Sequence, residues 1–380
     1  MNTKLKSLFM LDSKITYLNH GSYGACPKPI FDNLIKWQRQ LELEPVKHLG
    51  YDIYPLLEKS RSALAKYVGC NKDDIVFSPN PSTALNTVIK SLELEKDDEI
   101  LSTDHEYGAL DKTWNFISKK TGTKYIRQKI SLPLTSKKEF INQFVSGITT
   151  KTKIIFLSHI TSSTGLIFPV DEICKIAKKE KILCIIDGAH VPAHIKLDIS
   201  KLDPDVYVGA CHKWMCSPKG VSFLYVKKNI QNRIDPLVVS WGYDAEEPSH
   251  SQFLDYHQWQ GTKDLSAYLT IPFTINFLEE NNWDLIAKQC RKINLWAKDE
   301  VNKLLNNESL CDNQFLGQMS SIYLDFQKPL ETQTNFYKKY KIQIPFMIWN
   351  NISLIRISIQ VYNEKDDVYK LLDALKKEFC

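Results

Sequence analysis

Hydrophobic positions in the first two-thirds of the chain come in short unbroken runs, without in/out alternation. Residues 74–78, 99–103, 153–158, 182–186, 206–210 and 221–226 are such runs, rich in Ile, Val and Phe. Strands of this kind belong to a sheet buried on both faces. Between them, residues 82–92, 109–120 and 170–179 carry apolar positions at helical spacing. Helical periodicity also begins near Ile30 and recurs over 55–68, where Leu56, Leu57, Leu64 and Val68 form a stripe. Strand–helix alternation predicts an α/β fold: a mostly parallel, seven-stranded-type sheet sandwiched by helices.

After about residue 265 the texture changes. A long helix over 284–305, separated strands at 320–325 and 354–359 and a closing helix over 365–379 predict a smaller α+β domain. The expected organisation is therefore an N-terminal segment, 1–29, serving the small domain and the site mouth. A large domain over 30–264 and a small one over 265–380 follow. A chain of 380 residues accommodates two such units.

Composition mostly excludes. Net charge is +5, spread over 49 basic and 44 acidic residues, which gives no nucleic-acid footprint. No apolar run reaches membrane-spanning length and no signal-peptide core is visible, so a cytoplasmic protein is expected. Nine cysteines without CxxC spacing fit a reducing compartment and leave no metal site expected. Cys174, Cys184 and Cys211 sit in apolar elements and suit the core.

The candidate chemistry lies at strand ends. Lys213 follows the run 206–210, and Asp187 ends the run 182–186. Ligands of open α/β sheets bind outside the carboxyl ends of the strands. A strand-end carboxylate and a later strand-end lysine are what a pyridoxal phosphate site needs: an amine to condense with the aldehyde and an acid to hold the pyridinium nitrogen. His190 is placed to meet the ring hydroxyl or to be a satisfied structural histidine. Asn80-Pro81-Ser82-Thr83 opens a helix, so Ser82 and Thr83 either cradle a phosphate or cap that helix. Tyr107, with His105 as runner-up, offers an aromatic face for a flat ring. Ser162, after the strand at 153–158, offers a hydroxyl to cofactor or substrate. Arg356, inside an apolar strand, needs an anion: a substrate carboxylate or a structural salt bridge.

In this order the motifs resemble the class V aminotransferase group of fold-type-I pyridoxal phosphate enzymes, and within it the isopenicillin N epimerase-like branch. The likeness rests on Asn19-His20-Gly21-Ser22, Asp104-His105-Glu106-Tyr107-Gly108-Ala109, His159-Ile160-Thr161-Ser162, His212-Lys213-Trp214 and Arg356-Ile357-Ser358 with Tyr362-Asn363. The resemblance implies that Lys213 forms the Schiff base and moves protons, Asp187 pairs with the ring nitrogen and His190 approaches the ring hydroxyl. It implies that Ser82, Thr83 and His212 hold the phosphate and that Tyr107 stacks on the ring. Arg356 would take the substrate carboxylate, with His20 and Gly21 lining the mouth. It further implies a homodimer in which Thr262 reaches the neighbour's phosphate.

Expected activity is therefore chemistry at the α-carbon of an amino-acid-like substrate: epimerisation, with C–S lyase or aminotransferase chemistry as alternatives. A cofactor-binding relative without catalysis, serving as a regulatory or scaffold protein, is the reading from another class. An epimerase needs a proton donor facing away from Lys213, for which Tyr107 and His20 are the options. Residues 344–351 contain no cysteine, which disfavours desulfuration by a persulfide route.

Overall fold

A computed structural model describes residues 3–380. The large sheet has seven strands: β1 Ile75–Ser78, β2 Glu99–Thr103, β3 Lys124–Gln128, β4 Thr152–Ser158, β5 Leu183–Gly188, β6 Val206–Ala210 and β7 Ser222–Val226. Their spatial order is β1-β7-β6-β5-β4-β2-β3. Only β7 runs antiparallel to its neighbours. Helices cover both faces, so β1, β6 and β7 are buried at every position. That burial explains their unbroken apolar runs. The expected α/β architecture is the one observed.

Two elements had no strong sequence signal. β3 (Lys-Tyr-Ile-Arg-Gln) is an edge strand with half-buried or exposed positions, so it lacks the apolar run of its neighbours. Helix Lys137–Val145 is short and anchors only Phe140 and Phe144 in the core.

The C-terminal region holds a three-stranded antiparallel sheet. Its strands are β8 Met319–Tyr323, β9 Phe346–Trp349 and β10 Ile352–Ser358, in the order β9-β10-β8. Helices Trp283–Leu305 and Lys365–Phe379 pack together over it. The N-terminal segment joins this region: Thr16–Tyr17 pairs with Ile342–Gln343, and Asn19 bridges to Ser358. Helix Ile271–Glu280, beyond the boundary expected at 264–265, packs instead against helices Ile53–Val68 and Lys28–Leu43.

β9 and β10 are joined by Asn350-Asn351, both left-handed with φ of 46° and 63°. Such a two-residue turn matches strand twist, and asparagine tolerates it. The hairpin is pinned across the molecule, because Trp349 Nε1 donates to Asp104 O at 2.8 Å and Asn350 Nδ2 to Asp104 Oδ2 at 2.8 Å.

Candidate active site

One cavity of about 580 Å³ opens at the carboxyl ends of β4, β5 and β6, where the N-terminal segment and the small sheet close over it. Asp187, His190, Lys213, His212, Arg356, Ser82, Tyr107, Ser162 and Gly21 all line it. Three further sequence candidates, Thr83, His20 and Thr262, do not.

Asp187 closes an apolar strand and is 5% exposed. Oδ1 accepts from Ala189 N at 2.9 Å. Oδ2 has no protein donor among the described residues. Burial raises its pKa, opposed by the Ala189 N–H and by the Lys213 charge. Lys213 is half-buried on the cavity wall, and desolvation there draws its ammonium down to about 8; Arg356 adds to that and Asp187 resists it. Its Nζ lies 3.1 Å from His190 Nε2. These groups influence each other through one low-dielectric space, so their placement is mutual.

Arg356 is 2% exposed with no carboxylate near enough to pair. Nη1 donates to Ser162 O at 2.5 Å, Nη2 donates to Ser22 Oγ at 2.9 Å, and Nε has no partner. Burial lowers its pKa to about 10, with Tyr17 opposing. The salt-bridge alternative is thereby removed. A buried guanidinium without a counter-ion, facing a cavity, is built for an anionic ligand.

The helix Pro81–Ser91 points its N-terminus at the same space. Asn80, not Ser82 or Thr83, is the cap: Oδ1 accepts from Thr83 N at 2.8 Å and from Thr83 Oγ1 at 3.1 Å. Thr83 is thus spent on the cap, and Ser82 is the hydroxyl that faces the cavity. His212 donates from Nδ1 to Val221 O at 3.1 Å, which turns Nε2 toward any ligand. Burial lowers its pKa to about 4, so an anion there would have to draw a proton onto it.

Tyr107 stands at the N-cap position of helix Gly108–Thr121 and is 46% exposed. His105, the other stacking candidate, is fully buried away from the cavity. Nδ1 lies 2.9 Å from Thr164 Oγ1, Nε2 lies 3.0 Å from Ile130 O, and the ring packs 4.3 Å from Trp349. His20 lies behind the site: Nδ1 meets Tyr362 Oη at 2.8 Å and Nε2 meets Lys213 O at 3.0 Å. It holds the backbone of Lys213 and has no exposed surface. Thr262 is exposed in the turn after helix Gln252–Gln258 and contributes nothing to the cavity of its own chain.

Three lining or floor residues escaped the sequence reading. Lys219 lines the cavity, and Nζ donates to Gly24 O at 3.1 Å. Gly24 has φ of +68°, and a Cβ there would fall 2.1 Å from His212 O, so only glycine lets the N-terminal segment approach so closely. Met347 reaches the cavity from β9. Glu106 lies beneath: Oε1 accepts from Thr103 Oγ1 at 2.6 Å, and Oε2 accepts from Ser158 N at 2.9 Å and Ser158 Oγ at 2.5 Å. Burial raises its pKa to about 8. A carboxylic acid buried beside Asp187 was the available signal, hidden inside the run Asp104-His105-Glu106.

The chain belongs to the aminotransferase class-V family, whose model matches residues 26–371. It is 29% identical to an isopenicillin N epimerase of Amycolatopsis lactamdurans, over 97% of this chain and 96% of that protein. It is 24% identical to a hercynylcysteine sulfoxide lyase of Schizosaccharomyces pombe, over 99% and 97%. A cysteine desulfurase from Thermococcus onnurineus NA1 shares the fold, with a TM-score of 0.85 at 18% identity over 99% of this chain and 98% of that one.

Proposed function

We propose that this chain is a pyridoxal phosphate-dependent enzyme acting at the α-carbon of an amino-acid-like substrate, in the manner of the isopenicillin N epimerase-like branch. One observation carries the reading: a single cavity collects a buried acid with a free oxygen, a half-buried amine and a buried guanidinium without a counter-ion among the described residues. The residues fit the cofactor. Asp187 Oδ2 is available to the ring N–H, and Ser82, the helix N-terminus, His212 and Lys219 would hold the phosphate. Tyr107 would cover the ring, with Ser162 and His190 at its polar edge.

Bound pyridoxal phosphate supplies an electron sink that stabilises negative charge at the α-carbon. Arg356 would bind the substrate carboxylate and orient the α-carbon, with the backbone of Gly21 at the mouth beside it. Lys213 would move the proton at that carbon, aided by an ammonium that gives up its proton easily. His20, behind Lys213, is not a donor on the opposite face; Tyr107 is the remaining option of the two.

A specific observation keeps C–S lyase chemistry as the second reading. Of the two donors considered for the face away from Lys213, only Tyr107 lines the cavity, and it is half-exposed; an epimerase requires such a donor and a lyase does not. The relatedness to a sulfoxide lyase agrees. Transamination is the third fate. No cysteine lines the cavity, and a pinned hairpin stands where a persulfide carrier would be needed, so desulfuration by that route is not proposed.

A homodimer belongs to the same reading. Leu43, Val46, Tyr51, Tyr54, Val239 and Trp241 are large apolar residues left exposed, and Thr262 is free to reach a second copy. Nine free cysteines support a cytoplasmic location, and no described helix is long and apolar enough to cross a membrane. We place the start of the small domain at helix Trp283–Leu305 rather than at 265, because helix Ile271–Glu280 packs on the large domain, and we assign 1–29 to the small domain on the pairing of Thr16–Tyr17 with Ile342–Gln343.

Incubation with candidate amino acids in deuterium oxide tests the reaction. Deuterium at the α-carbon with inversion supports epimerisation; pyruvate with sulfide supports the lyase; a keto acid supports transamination. Absence of all three across the amino acids, with cofactor bound, would favour the non-catalytic regulatory reading.

A further inference from the structure

Trp214 follows Lys213 in the chain and is fully buried. Its Nε1–H points at His190 Nδ1 over 3.2 Å. An indole nitrogen donates and never accepts. His190 Nδ1 therefore carries a lone pair, and the one proton of the neutral ring sits on Nε2. That Nε2 lies 3.1 Å from Lys213 Nζ. An N–H pointing there needs an acceptor, and only an uncharged amine supplies a lone pair; an ammonium would set hydrogen against hydrogen.

The surroundings hold this arrangement in place. The Trp214 ring lies between His194, 4.1 Å away, and His20, 5.1 Å away. His194 has its own fixed tautomer, because Nε2 accepts from Gln318 N at 2.6 Å and Nδ1 faces His190 O at 2.9 Å. His20 Nε2 donates to Lys213 O at 3.0 Å. The charged and titratable groups facing Lys213 are Asp187, which favours the ammonium, Arg356, which opposes it, and the imidazoles of His190 and His212, which burial keeps neutral. Those facing His190 are Lys213, Arg356, His194 and His212, all of which oppose a second proton on the ring, as burial does.

We propose that Trp214 is a positioning residue that locks His190 in the Nε2–H tautomer, and that this tautomer keeps the Lys213 amine uncharged and nucleophilic. The proposal rests on the reading of Lys213 as the amine that captures the aldehyde. In that capture the Nζ lone pair adds to the aldehyde carbon, and the oxygen leaves with two protons as water. Without the indole donor, His190 can move its proton to Nδ1 and turn a lone pair toward Lys213, which then gains by keeping its own proton.

The test uses the full-length chain. Ring-nitrogen NMR on cofactor-free protein, with His190 assigned from the signals lost in His190→Asn, reads the tautomer directly: Nε2 protonated and Nδ1 bare. Trp214→Phe removes the donor. Replacement of Trp214 by benzothienylalanine removes it while keeping the ring shape, which answers for a phenylalanine variant that fails to fold. The pH midpoint of pyridoxal phosphate capture at Lys213, scored by borohydride reduction and peptide mass, is expected to rise by about one unit in either variant, a tenfold change in the amine's proton affinity. A proton on His190 Nδ1 in the unmodified chain overturns the proposal, and so does an unmoved midpoint in the benzothienyl variant. Capture at no site in the unmodified chain sinks the functional reading instead, and the NMR measurement still decides the tautomer.

Discussion

Two cavities of nearly equal volume, about 600 and 580 Å³, sit at opposite ends of the same sheet. The one at the amino ends of β4 and β5 is rich in charge, but its charges are paired, hydrogen-bonded or exposed to solvent. Lys178 and Lys227 both pair with Asp203, at 2.6 and 2.5 Å, and Asp205 accepts from Cys184 N at 2.8 Å. At the carboxyl ends, Asp187, His190 and Arg356 are buried and Lys213 is half-buried, and none of them has an ion pair among the described residues. Size does not separate the two cavities; unneutralised burial does. Groups left in that state have shifted proton affinities and a deficit that a ligand can fill, which is where chemistry is expected.

The comparison can be broken most directly at Lys213. Lys213→Ala is expected to lower turnover by about a thousandfold or more, because the proton-moving amine is gone. Near-normal turnover on a steady-state assay would remove the amine from the mechanism. Asp187→Ala comes next, with a loss of about a hundredfold to a thousandfold in kcat and weaker cofactor retention, while the circular dichroism spectrum stays that of the parent. Arg356→Lys keeps the charge and loses the fork, so kcat/KM is expected to fall by about tenfold to a hundredfold, chiefly through KM.

A smaller effect concerns stability. Glu106 is raised from 4.5 to about 8 by burial. Unfolded, the acid gives up its proton near the lower value; folded, it keeps it to the higher. Stability from this group is therefore complete below about pH 4.5 and is lost as pH rises toward 8. Glu106→Gln, which can reproduce the hydrogen bonds of the protonated acid, is expected to lose less Tm than the parent between those limits. Equal losses in thermal melts would contradict the assignment. The smallest effect belongs to the other cavity: Lys178→Ala, an exposed ion-pair partner, is expected to change turnover by less than about twofold.

The sheet was legible because burial on both faces writes continuous apolar runs, as in 182–186 and 206–210. β3 and helix Lys137–Val145 were not, since an edge strand and a two-contact helix bury too little to leave a pattern. Asp187, Lys213 and Arg356 stood out as charged groups at or inside apolar strands, where only function or pairing accounts for them. Lys219, Met347 and Glu106 had no such contrast with their neighbours. Their place depends on how the N-terminal segment, the hairpin and the floor of the sheet meet, which no local pattern encodes. His20 misled for the same reason: the short helix His20–Tyr23 borders the cavity through Gly21 and Ser22, while the His20 side chain turns inward to Tyr362 and Lys213 O.

The central claim is that the Lys213 amine and the buried acid share one ring between them. The most direct measurement is an absorbance spectrum of the purified chain with pyridoxal phosphate, followed by borohydride reduction and peptide mapping. A yellow band that borohydride bleaches, with the added mass on Lys213 alone, is the predicted result. A colourless protein, or a label carried by any other lysine, would contradict it.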